Sequence, residues 1–151
     1  MVKLKQLKPG KDYIGVGGGV LILDEKNRTL LTKRTPKNRN EKDSWAKPGG
    51  GLEYGEKGIQ SMKREMKEEL GVTVEIWGIL PNTDHILKKE KQHWFAFNYL
   101  GKIKSGVPKN CEPHKCEELH WFELDKLPKK LAQPTKEAIK NYLAGKYIKL
   151  N

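Results

Sequence analysis

The sequence predicts an α/β sandwich built around a mixed sheet. Three patterns predict it: β-favouring runs open the chain, a helix with a narrow apolar stripe follows near residue 60, and further strands lead to a closing amphipathic helix. With 151 residues the chain reads as a single domain spanning 1–151, long enough to bury a core without disulfides or a structural metal. It is 36% hydrophobic and 32% charged. Apolar runs such as YIGVGGGVLIL and WFAFNYL place it among globular rather than disordered chains.

The elements follow in order. IGVGGGVLIL and TLLTKR flank the polar DEKNR and read as a β-hairpin. TPKNRNEKDSWAKPGG is a polar loop bearing Pro and Gly, of a length that is usually functional or mobile. From Lys57 to Leu70, apolar Ile59, Met62, Met66 and Leu70 recur at helical spacing, and Gly71 stands where a helix stops. VTVEIWGIL and HWFAFNYLGKI read as strands and HWFEL as a short one. TKEAIKNYLA is the closing helix, with Ala138, Ile139, Tyr142 and Leu143 inward and Gly145 after it. The order of the strands stays open at this level.

Composition excludes several classes. No apolar segment approaches the about 20 residues that span a bilayer, and MVKLKQLKPGKDY lacks the apolar core of a signal peptide, so a cytoplasmic location without membrane association is expected. Cys111 and Cys116 are expected to be reduced. With His114 and His120 they fit no common zinc spacing and read as a loop leading into a strand. Thirty Lys and Arg against nineteen Asp and Glu leave a formal charge of +11, which favours polyanionic partners. The lysines are scattered singly, so nucleic acid is a less favoured partner than a small nucleotide.

The stretch GGGLEYGEKGIQSMKREMKEELGV, residues 49–72, carries the chemistry. Helical spacing puts Glu65, Glu68 and Glu69 together on the side away from the Ile59–Met66 stripe. Carboxylates so grouped repel, and although Arg64 and Lys67 relieve part of this, a hard divalent cation relieves more. Mg²⁺ takes oxygen ligands and typically bridges a few carboxylates to substrate phosphates. The PGG turn leaves its backbone open to add a carbonyl. A bare EMKEEL would suit an ordinary surface helix equally well, but the full spacing is more specific. Gly50, Glu56, Arg64, Glu65, Glu68, Glu69 and Gly71 are seven identities at fixed positions, which arise by chance with a probability on the order of 10⁻⁸ per window.

This pattern, residues 50–72, matches the Nudix box, and the chain resembles the Nudix hydrolases. The resemblance implies the Nudix α/β/α sandwich and hydrolysis of a nucleoside diphosphate linkage with Mg²⁺ or Mn²⁺, by a water that attacks phosphorus. Carried over by position, Glu65, Glu68 and Glu69 would be the metal-binding carboxylates, with Glu65 also a base for the attacking water. Arg64 would orient Glu65, the carbonyl of Gly49 would be a further metal ligand, and Glu56 would support the loop and the metal shell. The chemistry agrees with what bound metal ions do for phosphoryl transfer and needs no nucleophilic side chain.

Outside the box, LLTKR and NCEPHKCEELHWFELDKLPKKL resemble segments of MutT-like enzymes acting on normal or oxidised nucleotides. They imply that Arg34 meets the nucleotide and that the loop brings one more carboxylate to the metals, Glu117 or Glu118 ahead of Glu112. Lys47 stands where many relatives have an apolar residue and could select an extra phosphate or a carboxylate. Among Trp45, Trp94, Phe95, Phe97 and Trp121, one or two are expected to stack on a base and the rest to be core, with Trp121 a candidate contact. ADP-ribose hydrolases tend to carry a proline where this chain has Lys88. The expected function is therefore conversion of a nucleoside or deoxynucleoside triphosphate, ordinary or modified, to the monophosphate and pyrophosphate, by a monomer or homodimer. The alternatives are an ADP-ribose or nucleotide-sugar pyrophosphatase, an RNA 5′-end pyrophosphohydrolase and a non-catalytic nucleotide-binding module.

Overall fold

β1 is the strand around which the rest is arranged, because its C-terminal half is apolar on both faces. The computed structural model describes residues 6–38 and 40–151. Residues 1–5, read above for the lack of a leader, lie outside the described residues. In chain order the elements are β1 (Gly15–Ile22), β2 (Arg28–Arg34), β3 (Trp45–Ala46), β4 (Gly49–Gly51), α1 (Gly58–Leu70), β5 (Thr73–Leu87), β6 (Gln92–Ser105), β7 (Cys116–Glu123), α2 (Gln133–Leu143) and β8 (Ile148–Lys149).

Successive strand residues point to opposite faces, so Val20 and Ile22 go one way and Leu21 and Leu23 the other. The first pair packs with Met62, Met66 and Leu70 of α1, the second with Ala138 and Ile139 of α2. One sheet is thus covered by a helix on each side, and each fully buried Val, Leu, Ile or Met side chain among these contributes about 1.5–3 kcal/mol. The five-stranded sheet has the order β4-β1-β6-β5-β8, and a three-stranded sheet has the order β3-β2-β7. β1 runs parallel to β6 and antiparallel to β4, which makes the larger sheet mixed.

The expected hairpin of the first two strands does not form. Both edges of β1 are taken, by β4 and β6, while β2 pairs with β3 and β7. Only a bridge between Leu23 and Thr29 joins the two strands before they part into different sheets. The turn between them is built instead on Asp24, whose Oδ1 accepts from the N–H groups of Lys26 and Arg28 at 3.0 and 2.8 Å.

Three further departures come from packing. The strand expected to end at Leu80 continues through Pro81 to Leu87, because a register shift between Leu80 and Thr83 spares the proline a ladder bond. Asn98 closes that irregularity by donating to Pro81 O and Thr83 Oγ1, each at 3.0 Å. The polar loop after β2 carries the short strands β3 and β4. In α2, Leu143 is 59% exposed rather than inward, and Tyr142 is half-buried and stacks on Tyr147. α1 ends as expected, with Gly71 at φ 70° and its N–H donating to Lys67 O. No described helix is long and apolar enough to cross a membrane.

Candidate active site

The glycine turn and α1 meet face to face. β4 pairs with β1 in the register Gly17–Gly51, Gly18–Gly50 and Gly19–Gly49, and this lays the PGG turn against the helix. Gly50 must lack a side chain, since a Cβ there would collide with the Glu65 carboxylate.

Arg64 ties the loop to the helix. Its Nε and Nη2 reach Glu56 Oε1 at 2.5 Å and Oε2 at 3.0 Å, a two-point pairing of the strong, planar kind. The same guanidinium donates to Glu65 Oε1 at 3.0 Å, Glu68 Oε2 at 3.1 Å and Gly51 O at 3.2 Å. Glu56 is held below the ordinary carboxylate range, first by its hydrogen bond from Arg64. Glu56 and Arg64 therefore stay oppositely charged across the site.

The three helix glutamates are not equally buried. Glu65 is buried, Glu69 is half-buried, and both line a cleft of about 1110 Å³, whereas Glu68 lies half-exposed against Arg64. Glu68 shares the Arg64 Nη1 donor with Glu65 at the exposed edge of the group, and its charge still acts on Glu65. The third carboxylate of the cluster is Glu112: Glu65, Glu69 and Glu112 each offer an oxygen within 4.8 Å of the others. The segment before β7 docks on the end of α1, through Lys109 N–H to Leu70 O at 3.1 Å and Cys111 N–H to Glu69 O at 3.0 Å, and so delivers Glu112 there.

Charge repulsion marks this cluster. Burial pushes the Glu65 carboxyl up against the opposing field of Arg64. Burial raises Glu69 further, and the charges of Glu65 and Glu112 add to it, with Lys115 offsetting part. Glu112 Oε1 is buried without a hydrogen-bond partner, and Oε2 lies 3.3 Å from Lys115 Nζ. An all-oxygen, under-neutralised donor set with an orphaned buried oxygen fits a hard divalent cation such as Mg²⁺ or Mn²⁺. Cys111, His114, Cys116 and His120 form no such group.

Glu117 and Glu118 go elsewhere. They are strand residues of β7 that face Lys33 of β2, at 3.6 and 3.9 Å, and they do not line the cleft. Trp121 is also removed from it: the ring packs on the α1-side core and carries the Arg28 guanidinium at 5.6 Å from its centroid. Trp45 is spent on Phe122 and Phe97 on Tyr99, in edge contacts at 4.8 and 5.6 Å. Trp94 and Phe95 are the expected aromatics that do line the cleft.

A second polar group lines the same cleft. Arg34 donates to Asn40 O and Asn40 Oδ1 at 3.1 and 3.2 Å. Lys47 is 9% exposed, its stem lying over Gly19, where a Cβ would come 2.7 Å from Lys47 Cε. Burial lowers the Lys47 ammonium to about 8, against the opposing charges of Glu41 and Glu137. His85, 6% exposed, places Nε2 at 3.5 Å from Glu41 Oε2, too far for a good hydrogen bond, and that nitrogen is otherwise unpartnered. Glu41 and His85 were missed by sequence reasoning because a loop residue and a strand residue 44 positions apart (85 − 41) meet only in the fold.

Residues 14–142 match the family described as NUDIX domain. The chain is 30% identical over 150 residues to an ADP-ribose pyrophosphatase of Methanocaldococcus jannaschii, covering 97% of this chain and 84% of that protein. It is 36% identical over 99 residues to an RNA pyrophosphohydrolase of Ruthia magnifica, covering 54% of this chain and 52% of that one. The crystal structure of a MutT NUDIX hydrolase from Burkholderia pseudomallei superposes with a TM-score of 0.78 at 38% identity, over 83% of this chain and 95% of that one.

Proposed function

The chain belongs to the NUDIX domain family and is a pyrophosphohydrolase of nucleotide derivatives, and from that premise we propose that it converts nucleoside triphosphates, with ordinary or oxidised bases, to nucleoside monophosphate and pyrophosphate. The observation that carries this reading is one cleft lined by two groups. The carboxylates of Glu65, Glu69 and Glu112 form the first, and the Arg34 guanidinium belongs to the second. That pairing suits a ligand with several negative charges.

Glu65, Glu69 and Glu112 would hold the divalent ion, with the Gly49 backbone alongside, and the ion would supply charge neutralisation and a more acidic bound water. Glu65 would take the proton of the attacking water; its carboxyl is raised by burial and accepts a hydrogen bond from Arg64. Arg64 and Glu56 act as positioning residues that fasten the loop to the helix. Arg34 offers a planar donor pair to phosphate oxygens. Glu68, outside the carboxylate cluster, serves by holding Arg64.

The test is a phosphate-release screen with Mg²⁺ and added pyrophosphatase, across ordinary, oxidised and methylated triphosphates, ADP-ribose, nucleotide sugars and dinucleoside polyphosphates. Glu69→Gln is the control. Turnover of triphosphates by the wild type alone is expected, and a protein that leaves every triphosphate intact overturns the reading. A second reading, hydrolysis of ADP-ribose, is favoured by the relative of that name that aligns over 97% of this chain. Activity confined to ADP-ribose would establish it.

A further inference from the structure

The cleft holds two buried, hydrogen-bonding side chains that the carboxylate cluster does not use. Lys47 is 9% exposed and its ammonium makes no hydrogen bond or ion pair among the described residues, and buried His85 Nε2 has only the 3.5 Å contact with Glu41 Oε2. Burying such groups is unfavourable until a ligand satisfies them. Glu41 contacts His85 and its charge acts on Lys47. Its Oε1 accepts the Gln133 N–H at 2.8 Å, which fixes the carboxylate, while Oε2 faces His85. No ion pair closes Glu41 onto Lys47, although each feels the other's charge. A donor and an acceptor thus look into one space.

We propose that Lys47 and Glu41, with His85 beside them, read the nucleobase and select bases that carry a lactam edge. This rests on the reading above only in taking the occupant of the cleft to be a nucleotide. Guanine, hypoxanthine and uracil each place a carbonyl oxygen next to a ring N–H. The carbonyl meets the Lys47 ammonium and the N–H meets the Glu41 carboxylate. Adenine and cytosine reverse the order, so their amino group faces the ammonium and their ring nitrogen lone pair faces the carboxylate. Both contacts are then repulsive. The carboxylate in the same space disfavours a purely anionic ligand such as a further phosphate. Walls for the ring are present: Trp94 lies opposite His85 in the β5–β6 ladder, and both line the cleft. The lysine reaches this space because Gly19 leaves room for its stem.

Monophosphates test the subsite without turnover. Calorimetric titration of the full chain with GMP, IMP, UMP, AMP and CMP is expected to give at least about tenfold tighter binding of the three lactam bases. Glu41→Gln and Lys47→Met should collapse that ratio while circular dichroism stays native. Should Lys47→Met fail to fold, Lys47→Arg, which keeps the charge and moves the donors, takes its place. AMP or CMP binding as tightly as GMP overturns the proposal, as does an unchanged ratio in the variants or no monophosphate binding. Affinity competed by inorganic phosphate irrespective of base assigns Lys47 to an anion and overturns it too. Triphosphate turnover without base preference sinks this proposal and leaves the triphosphate reading. Selective monophosphate binding without turnover does the reverse.

Discussion

Glu65 and Glu69 differ from Glu68, the remaining acidic residue of α1, in burial: both line the cleft and are raised by burial and like charge, whereas Glu68 is half-exposed. Replacing either by Gln removes charge without changing shape. Turnover should fall by about 10²–10⁴, the size of a lost general base, with the fold intact. Near-normal steady-state rates in both variants would remove the site assignment. The cluster also predicts coupling between metal and stability, because an ion that binds only the folded chain stabilises it by mass action, about 2.7 kcal/mol at a hundred times Kd. Thermal melts with Mg²⁺ against EDTA should show a raised Tm. Glu112→Gln should shrink that rise, and Glu117→Gln should leave it, since Glu117 lies on Lys33. Equal effects of the two would show that the loop carboxylate is wrongly placed.

Two turns set the elements that frame the site. Gly71 ends α1 at φ 70°, a conformation that a side chain strains, so Gly71→Ala should lower stability by about 1 kcal/mol in urea unfolding. An unchanged midpoint would contradict the left-handed cap. Asp24 governs the turn that sends β2 away from β1. Burial raises its carboxyl, but the Arg28 N–H and guanidinium outweigh that and hold it below its ordinary value. A depressed carboxyl stabilises the fold above the unfolded value near 3.8 and loses that contribution as pH falls through the lower folded value. Asp24→Asn should therefore lower stability by about 1 kcal/mol at neutral pH, and the difference from wild type should close on acidification below that window. A gap that stays constant down to the most acid pH would count against the pairing.

For the whole molecule the governing quantity is the charge of +11 on 151 residues. Its field attracts polyanions, and screening shortens from about 30 Å at 0.01 M salt to about 8 Å at 0.15 M. The second-order rate constant kcat/KM for a triphosphate should fall as salt rises, with kcat nearly constant, because the field acts on encounter. A salt-independent kcat/KM would mean that the scattered lysines contribute no steering.

Composition and spacing by themselves determined a great deal here. The helical stripe of Met62, Met66 and Leu70, the Gly71 stop and the fixed places of Gly50, Glu56, Arg64, Glu65 and Glu69 are local features, written within about one turn or one motif of chain. The divergence of β1 and β2 was not legible, since both edges of a strand are filled by partners from distant parts of the chain. Nor was the choice of Glu112 over Glu117 and Glu118, which depends on a loop docking onto the end of α1. The meeting of Glu41, Lys47 and His85 belongs to the same kind. Side chains from separate sheets and loops become neighbours only when the core closes, so their chemistry is a property of the tertiary structure.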